Sequence, residues 1–223
     1  MIAFGCAITR EDEFAAYAEP GIERVAEPDS LVMLKRGYDC IHDPYNEMLA
    51  QAGERDDLEA LVLLHQDLSI DGDDMLARVR GLLAASPEIA IMGTIGARDV
   101  PGLAWWEGEP RGYVTAPRLV PGGTRLQYSY GAHEVDSVDG MLLVLSPWAV
   151  RELRFDRDLA GALDGYDLDI CLQARERGMR VVATGFGASH HVTYDDFYDR
   201  QRWIEAAVAV QRKWGEGLMP RLL

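Results

Sequence analysis

Apolar residues fall along the chain in short dense runs, each cut off by polar or turn-forming residues. Residues 2–9 are small and apolar and end at Thr9-Arg10-Glu11, a first strand opening into a polar loop. A short helix over 13–18 closes at Pro20-Gly21, and Leu31-Val32-Met33-Leu34 forms a second apolar run stopped by Lys35-Arg36-Gly37. Asp43 as a cap, Pro44 in the first turn and Gly53 at the far end frame a helix over 43–53. Leu61-Val62-Leu63-Leu64 reads as a strand covered on both faces, the habit of a parallel sheet. Met75, Leu76, Val79, Leu82 and Leu83 share one face of a helix that Ser86-Pro87 ends. With a further strand over 89–95, this β-α-β-α-β alternation predicts an α/β fold, a mostly parallel central sheet with helices on both faces.

Residues 97–134 break the pattern. They carry Pro101, Pro110, Pro117 and Pro121, several glycines, Trp105-Trp106 and three tyrosines. A connection this long inside one domain is expected to serve as a lid or binding loop. Regular structure resumes with a strand over 141–145 and a short helix opened by Ser146-Pro147. A helix over 167–177 closed by Gly178, a strand over 181–183 and a last helix over 196–214 follow, the last with Ile204, Ala207 and Val208 turned inward. With no repeat or linker, residues 1–223 are expected to form one domain.

Charge narrows the partners. The 22 Lys and Arg against 37 Asp and Glu give a net charge of −15, a field that repels nucleic acid. A small phosphorylated substrate stays compatible if a metal neutralises it. Cys6, Cys40 and Cys171 are far apart with no CxxC spacing, which speaks against a structural zinc site or a disulfide framework. No stretch approaches the ~20 apolar residues of a membrane span, and no basic amphipathic helix suggests stable membrane attachment. The expected setting is the reducing cytoplasm.

Polar residues gather where the apolar runs stop: Thr9-Arg10, His65-Gln66-Asp67, Asp136 with Asp139, Asp167 with Asp169, and His190-His191. In open α/β sheets ligands bind beyond the carboxyl ends of the strands. If the runs are neighbouring strands, these groups meet on one rim, where carboxylate and histidine make a divalent site and a separate carboxylate a base. Each has a plainer reading too. Asp67 could tighten a turn, Asp167 could cap a helix, and Trp105 and Trp106 could pin the long loop rather than stack on a sugar. Asp71, Asp73 and Asp74 only superficially resemble a calcium loop, since Leu82 stands where the bidentate Glu belongs.

Gly165-Tyr166-Asp167-Leu168-Asp169 through Gly178 resembles the acidic catalytic segment of family 2-like glycosyltransferases of the GT-A fold. His65-Gln66-Asp67 looks like an HQD variant of that fold's metal-binding DxD motif, and Tyr45-Asn46, Val138-Asp139-Gly140 and the histidine pair follow at compatible spacing. The resemblance implies an inverting, metal-dependent transfer of a sugar from a UDP-, GDP- or dTDP-sugar to a hydroxyl acceptor. Asp67 would hold Mn²⁺ or Mg²⁺, with His190 or, second, His191 completing the site, and Asp167 would be the general base. Thr9, Arg10, Tyr45, Asn46, His65 and Gln66 would line the nucleotide, and Trp105, Trp106, Asp139, Gly140 and Tyr166 the substrate. His65 stands in place of the motif's first Asp, and Tyr166 where family members often carry Glu. The alternatives are a non-catalytic GT-A-like domain that binds nucleotide or glycan as a scaffold or regulator, and a metal-dependent phosphohydrolase.

Overall fold

The computed structural model describes residues 1–118, 125–159, 165–193 and 200–215. The chain begins in β1 (Ile2–Ile8) and turns into a continuous helical run made of α1 (Glu11–Glu13), a π-helical turn (Phe14–Ala18) and α2 (Glu19–Val25). The helix therefore does not close at Pro20. The π turn pairs the Glu19 N–H with the Phe14 carbonyl, so the register has already shifted where Pro20, which has no N–H, enters. β2 (Val32–Arg36), α3 (His42–Gly53) and β3 (Ala60–Leu64) follow in the expected order, although Ile41 rather than Asp43 stands at the cap of α3 and Asp43 sits in its first turn, paired with Arg157.

Past β3 the chain runs through β4 (Leu68–Ile70), α4 (Met75–Ala85), β5 (Ile89–Gly93) and β6 (Ile95–Arg98). The segment 97–134, expected to be a long loop, holds a 3₁₀ turn over Trp105–Glu107, β7 (Glu109–Thr115), β8 (Arg125–Gln127) and most of β9 (Ala132–Val135), with β10 (Ser137–Val138) just beyond it. Next come β11 (Leu142–Leu145), α5 (Pro147–Glu152), α6 (Tyr166–Glu176), β12 (Arg180–Thr184), β13 (Ala188–His190) and α7 (Arg200–Trp214). Residues 196–199, expected to open the last helix, lie outside the described residues.

A seven-stranded sheet in the order β2-β1-β3-β11-β5-β12-β9 forms the centre. β2, β1, β3, β5 and β12 run one way, while β11 and β9 run against them. Along β3 and β1 successive side chains go to opposite faces, as a strand's period of two requires. Ala60, Val62 and Leu64 join Ile2, Phe4 and Cys6 in one apolar cluster, with Ile22 of α2 and Met75 and Val79 of α4. Leu61 and Leu63 join Ala3 in the other, with Met48 and Leu49 of α3, Val150 of α5 and Ile170 of α6. Helices thus cover both faces. α3 lies close enough that a Cβ on Gly5 would fall 2.5 Å from the Met48 sulfur.

A second sheet, β10-β6-β7-β13-β4 with β8 beside β7, is built largely from the segment that breaks the pattern. Its strands are short, mixed in polarity and interrupted by Pro110 and by Gly112 at φ +85°, so no clean alternation marks them. The chain crosses between the sheets twice in a manner that matters: from β3 into β4 through His65-Gln66-Asp67, and from β12 into β13 ahead of His190.

Candidate active site

The crossing from β3 to β4 is held tightly. The His65 N–H donates to the Met141 carbonyl (3.0 Å), the Leu68 N–H to the His65 carbonyl (3.2 Å), and the His191 N–H to the Asp67 carbonyl (2.8 Å). β13 pairs antiparallel with β4, His190 opposite Leu68, which sets His190 beside Asp67. His190 Nε2 lies 3.4 Å from Asp67 Oδ1, and both side chains are about one-tenth exposed. His65, Asp67 and His190 each offer a ligand atom within 4.8 Å of the others.

The electrostatics suit a cation. Burial pushes the Asp67 carboxyl up, but His190 and His65 more than offset this and hold it well below the usual carboxylate range. Burial pushes the His65 imidazole down against the pull of Asp67, which favours its neutral form. An ionised carboxylate with a neutral imidazole is the state a divalent ion requires. His190 Nε2 is buried and, beyond its 3.4 Å contact with Asp67, has no hydrogen-bond partner among the described residues. An orphaned nitrogen in such a place fits a coordinating role.

The carboxylate of Asp167, at the N-terminus of α6, is anchored on both oxygens. Oδ1 accepts from the Leu168 N–H at 2.8 Å and Oδ2 from the Gly140 N–H at 2.9 Å. Gly140 follows β10, so the second sheet and α6 together fix this group. The N-terminus of α6 is tied to the cluster by its first residue, for Tyr166 Oη lies 2.6 Å from His65 Nε2.

The other expected site residues divide. Thr9, Arg10 and Gln66 meet at the adjoining carboxyl ends of β1 and β3, where Gln66 Oε1 accepts from the Thr9 (2.8 Å) and Arg10 (2.9 Å) N–H groups. Asp139 Oδ1 accepts from the Met141 N–H at 3.0 Å, beside Gly140. Tyr45 is fully buried against Phe155 and Tyr166, so contact with a nucleotide is closed to it. Asn46 clasps the backbone of Phe155 at both ends of its amide (2.8 and 2.9 Å) rather than facing the rim. Tyr166, 4% exposed, is likewise closed to direct contact with a substrate. His191 lies outside the cluster, its Nε2 at 3.0 Å from Ser69 Oγ and its ring stacked on Tyr17. His65, expected to line the nucleotide, lies in the cluster with Asp67 and His190. Trp105 is buried and Trp106 is 48% exposed, so one pins the segment and the other is free to stack.

Asp169, wholly buried, accepts from Lys213 Nζ (2.7 Å), Trp214 Nε1 (2.7 Å) and Gln173 Nε2 (2.8 Å), which fastens α7 onto α6. Nothing in local pattern signals a partnership 45 residues apart.

A mixed sheet of this order with helices on both faces, and a rim carrying an acidic-histidine cluster, defines a GT-A fold. Residues 34–205 match the model of a family described as "Glycosyltransferase like family", and the chain belongs to it. It is 28% identical to the streptomycin biosynthesis protein StrF of Streptomyces griseus over 208 residues, which cover 91% of this chain and 71% of that protein. Among solved structures it resembles A197 from STIV, with a TM-score of 0.55 at 14% identity over 86% of this chain and 85% of that one. It also resembles GalNAc-T7, solved with UDP, GalNAc and Mn²⁺, with a TM-score of 0.60 at 7% identity. That match covers 95% of this chain and 47% of GalNAc-T7. At these identities the structural likeness concerns the fold.

Proposed function

We propose that residues 1–223 act as one glycosyltransferase domain that moves a sugar from a nucleotide-sugar to a hydroxyl acceptor, with inversion and with dependence on Mn²⁺ or Mg²⁺. The observation that carries the reading is the His65–Asp67–His190 cluster at the junction of the two sheets, whose ligand atoms lie within 4.8 Å of one another. These three residues would hold the cation, which when bound neutralises the diphosphate of the leaving nucleotide. Thr9, Arg10 and Gln66 border the donor, and the exposed Trp106 offers an aromatic face to a sugar.

In the transfer, the acceptor oxygen forms a bond to the anomeric carbon as the bond from that carbon to the diphosphate breaks. The electron pair of the broken bond leaves with the nucleoside diphosphate. Asp167 takes the acceptor's hydroxyl proton. Both its oxygens accept backbone N–H groups, which hold the carboxylate in one orientation.

Calorimetric titration of UDP, GDP and dTDP, with and without Mn²⁺, tests the donor site. One nucleotide is expected to bind at micromolar Kd only with metal, and Asp67→Ala is expected to abolish that binding. Failure of all three to bind under either condition would remove the donor-site reading.

A further inference from the structure

His65 and Tyr166 are the two positions at which this chain departs from the motifs it resembles, and they are hydrogen-bonded to each other across 101 residues, Oη to Nε2 at 2.6 Å. The Tyr166 ring has little freedom. It lies edge-on to Tyr45 and His42 and tilted against Phe155, with centroids 6.0 to 6.2 Å apart. Gly140 makes room beneath it, since a Cβ there would fall 2.1 Å from Oη and 2.5 Å from Cζ. The hydroxyl is thus aimed by packing, and its target is a residue of the candidate metal cluster.

We infer that Tyr166 is a positioning residue that fixes the tautomer and orientation of His65 so that its Nδ1 lone pair serves the cation. The inference rests on the metal-site reading above. A ring nitrogen bearing a proton cannot coordinate, and in neutral imidazole one nitrogen is a donor and the other an acceptor. With Nε2 committed to the phenol, His65 can be a ligand only if Nε2–H donates to Tyr166 Oη and Nδ1 stays bare. Partners of this kind orient metal-binding histidines, and their loss commonly weakens metal affinity roughly 10- to 100-fold. Here the partner is a phenol carried by the residue directly before Asp167, so the ligand and the proposed base are set by one helix terminus.

Calorimetric Mn²⁺ titration without nucleotide separates the possibilities. Tyr166→Phe keeps the ring and removes the hydroxyl, and is expected to weaken Mn²⁺ binding at least about tenfold. In a His65→Ala background the same change should have no further effect, whereas a general packing role would persist there. A second readout needs no metal: ¹⁵N NMR of histidine-labelled, metal-free wild type, with His65 assigned by its absence in His65→Ala, should show the Nε2–H tautomer. Unchanged Mn²⁺ affinity in Tyr166→Phe, or an Nδ1–H tautomer at His65, overturns the inference. If Asp67→Ala loses Mn²⁺ binding while Tyr166→Phe keeps it, only the role of Tyr166 falls. If Asp67→Ala binds as wild type does, the metal-site reading falls and takes this inference with it.

Discussion

Asp167 accepts a backbone N–H group on each carboxylate oxygen. Asp167→Asn keeps the shape and loses the base. The expected outcome is a fall in kcat of about 10²- to 10⁴-fold with nucleotide and Mn²⁺ affinity within about twofold of wild type, read by donor turnover beside calorimetry. The cysteines offer a second check at this scale. Burial pushes the Cys6 and Cys171 thiols up to about 12, while Cys40 is partly exposed. At pH 8 the two buried thiols carry almost no thiolate, so a disulfide reagent should consume one equivalent in the native protein and three in urea. Two rapid native equivalents would contradict this burial. Asp67 was legible because an aspartate directly after a run of buried aliphatics stands at a strand's carboxyl end. The exclusion of His191 was not, because His191 lies one residue past β13 and its partner Ser69 belongs to β4, 122 residues away in sequence.

Among the elements, α7 shows how far periodicity can mislead. Ile204, Ala207 and Val208 form an apolar stripe and read as the inner face, yet Ile204 is 41% and Val208 44% exposed. The buried face carries Ala206 and Val210. What turns the helix is polar: Lys213 and Trp214 reach the buried Asp169, and Lys213 also reaches Asp156. Orientation by a distant buried carboxylate leaves no mark in hydropathy. Two substitutions check it by thermal denaturation. Ile204→Ser should change stability by less than about 0.5 kcal/mol, and Val210→Ala should cost roughly 1–3 kcal/mol. The reverse ranking would restore the other face. The strands of the second sheet were unreadable for a related reason: β8, β10 and β13 have two or three residues each, too few for an alternation to declare itself.

At the scale of the whole molecule, the central sheet was readable because β3, β5 and β11 are buried along their full length. The site was readable only in outline, because it lies where that sheet meets a second one assembled from the least patterned part of the chain. The net charge of −15 then sets how the proposed donor approaches. A nucleoside diphosphate meets a repulsive long-range field, and even its Mn²⁺ complex remains an anion. Monovalent salt screens that repulsion over a Debye length of about 10 Å at 0.1 M. The association rate of the Mn²⁺–nucleotide complex should therefore rise with KCl between about 20 and 300 mM, by up to about tenfold. This is opposite in sign to the behaviour of a basic phosphate-binding protein. Stopped-flow binding at fixed free Mn²⁺ measures it. A falling rate would mean that the local cations at the mouth, Arg10 foremost among them, outweigh the molecule's net charge, and that attraction rather than coordination brings the donor in.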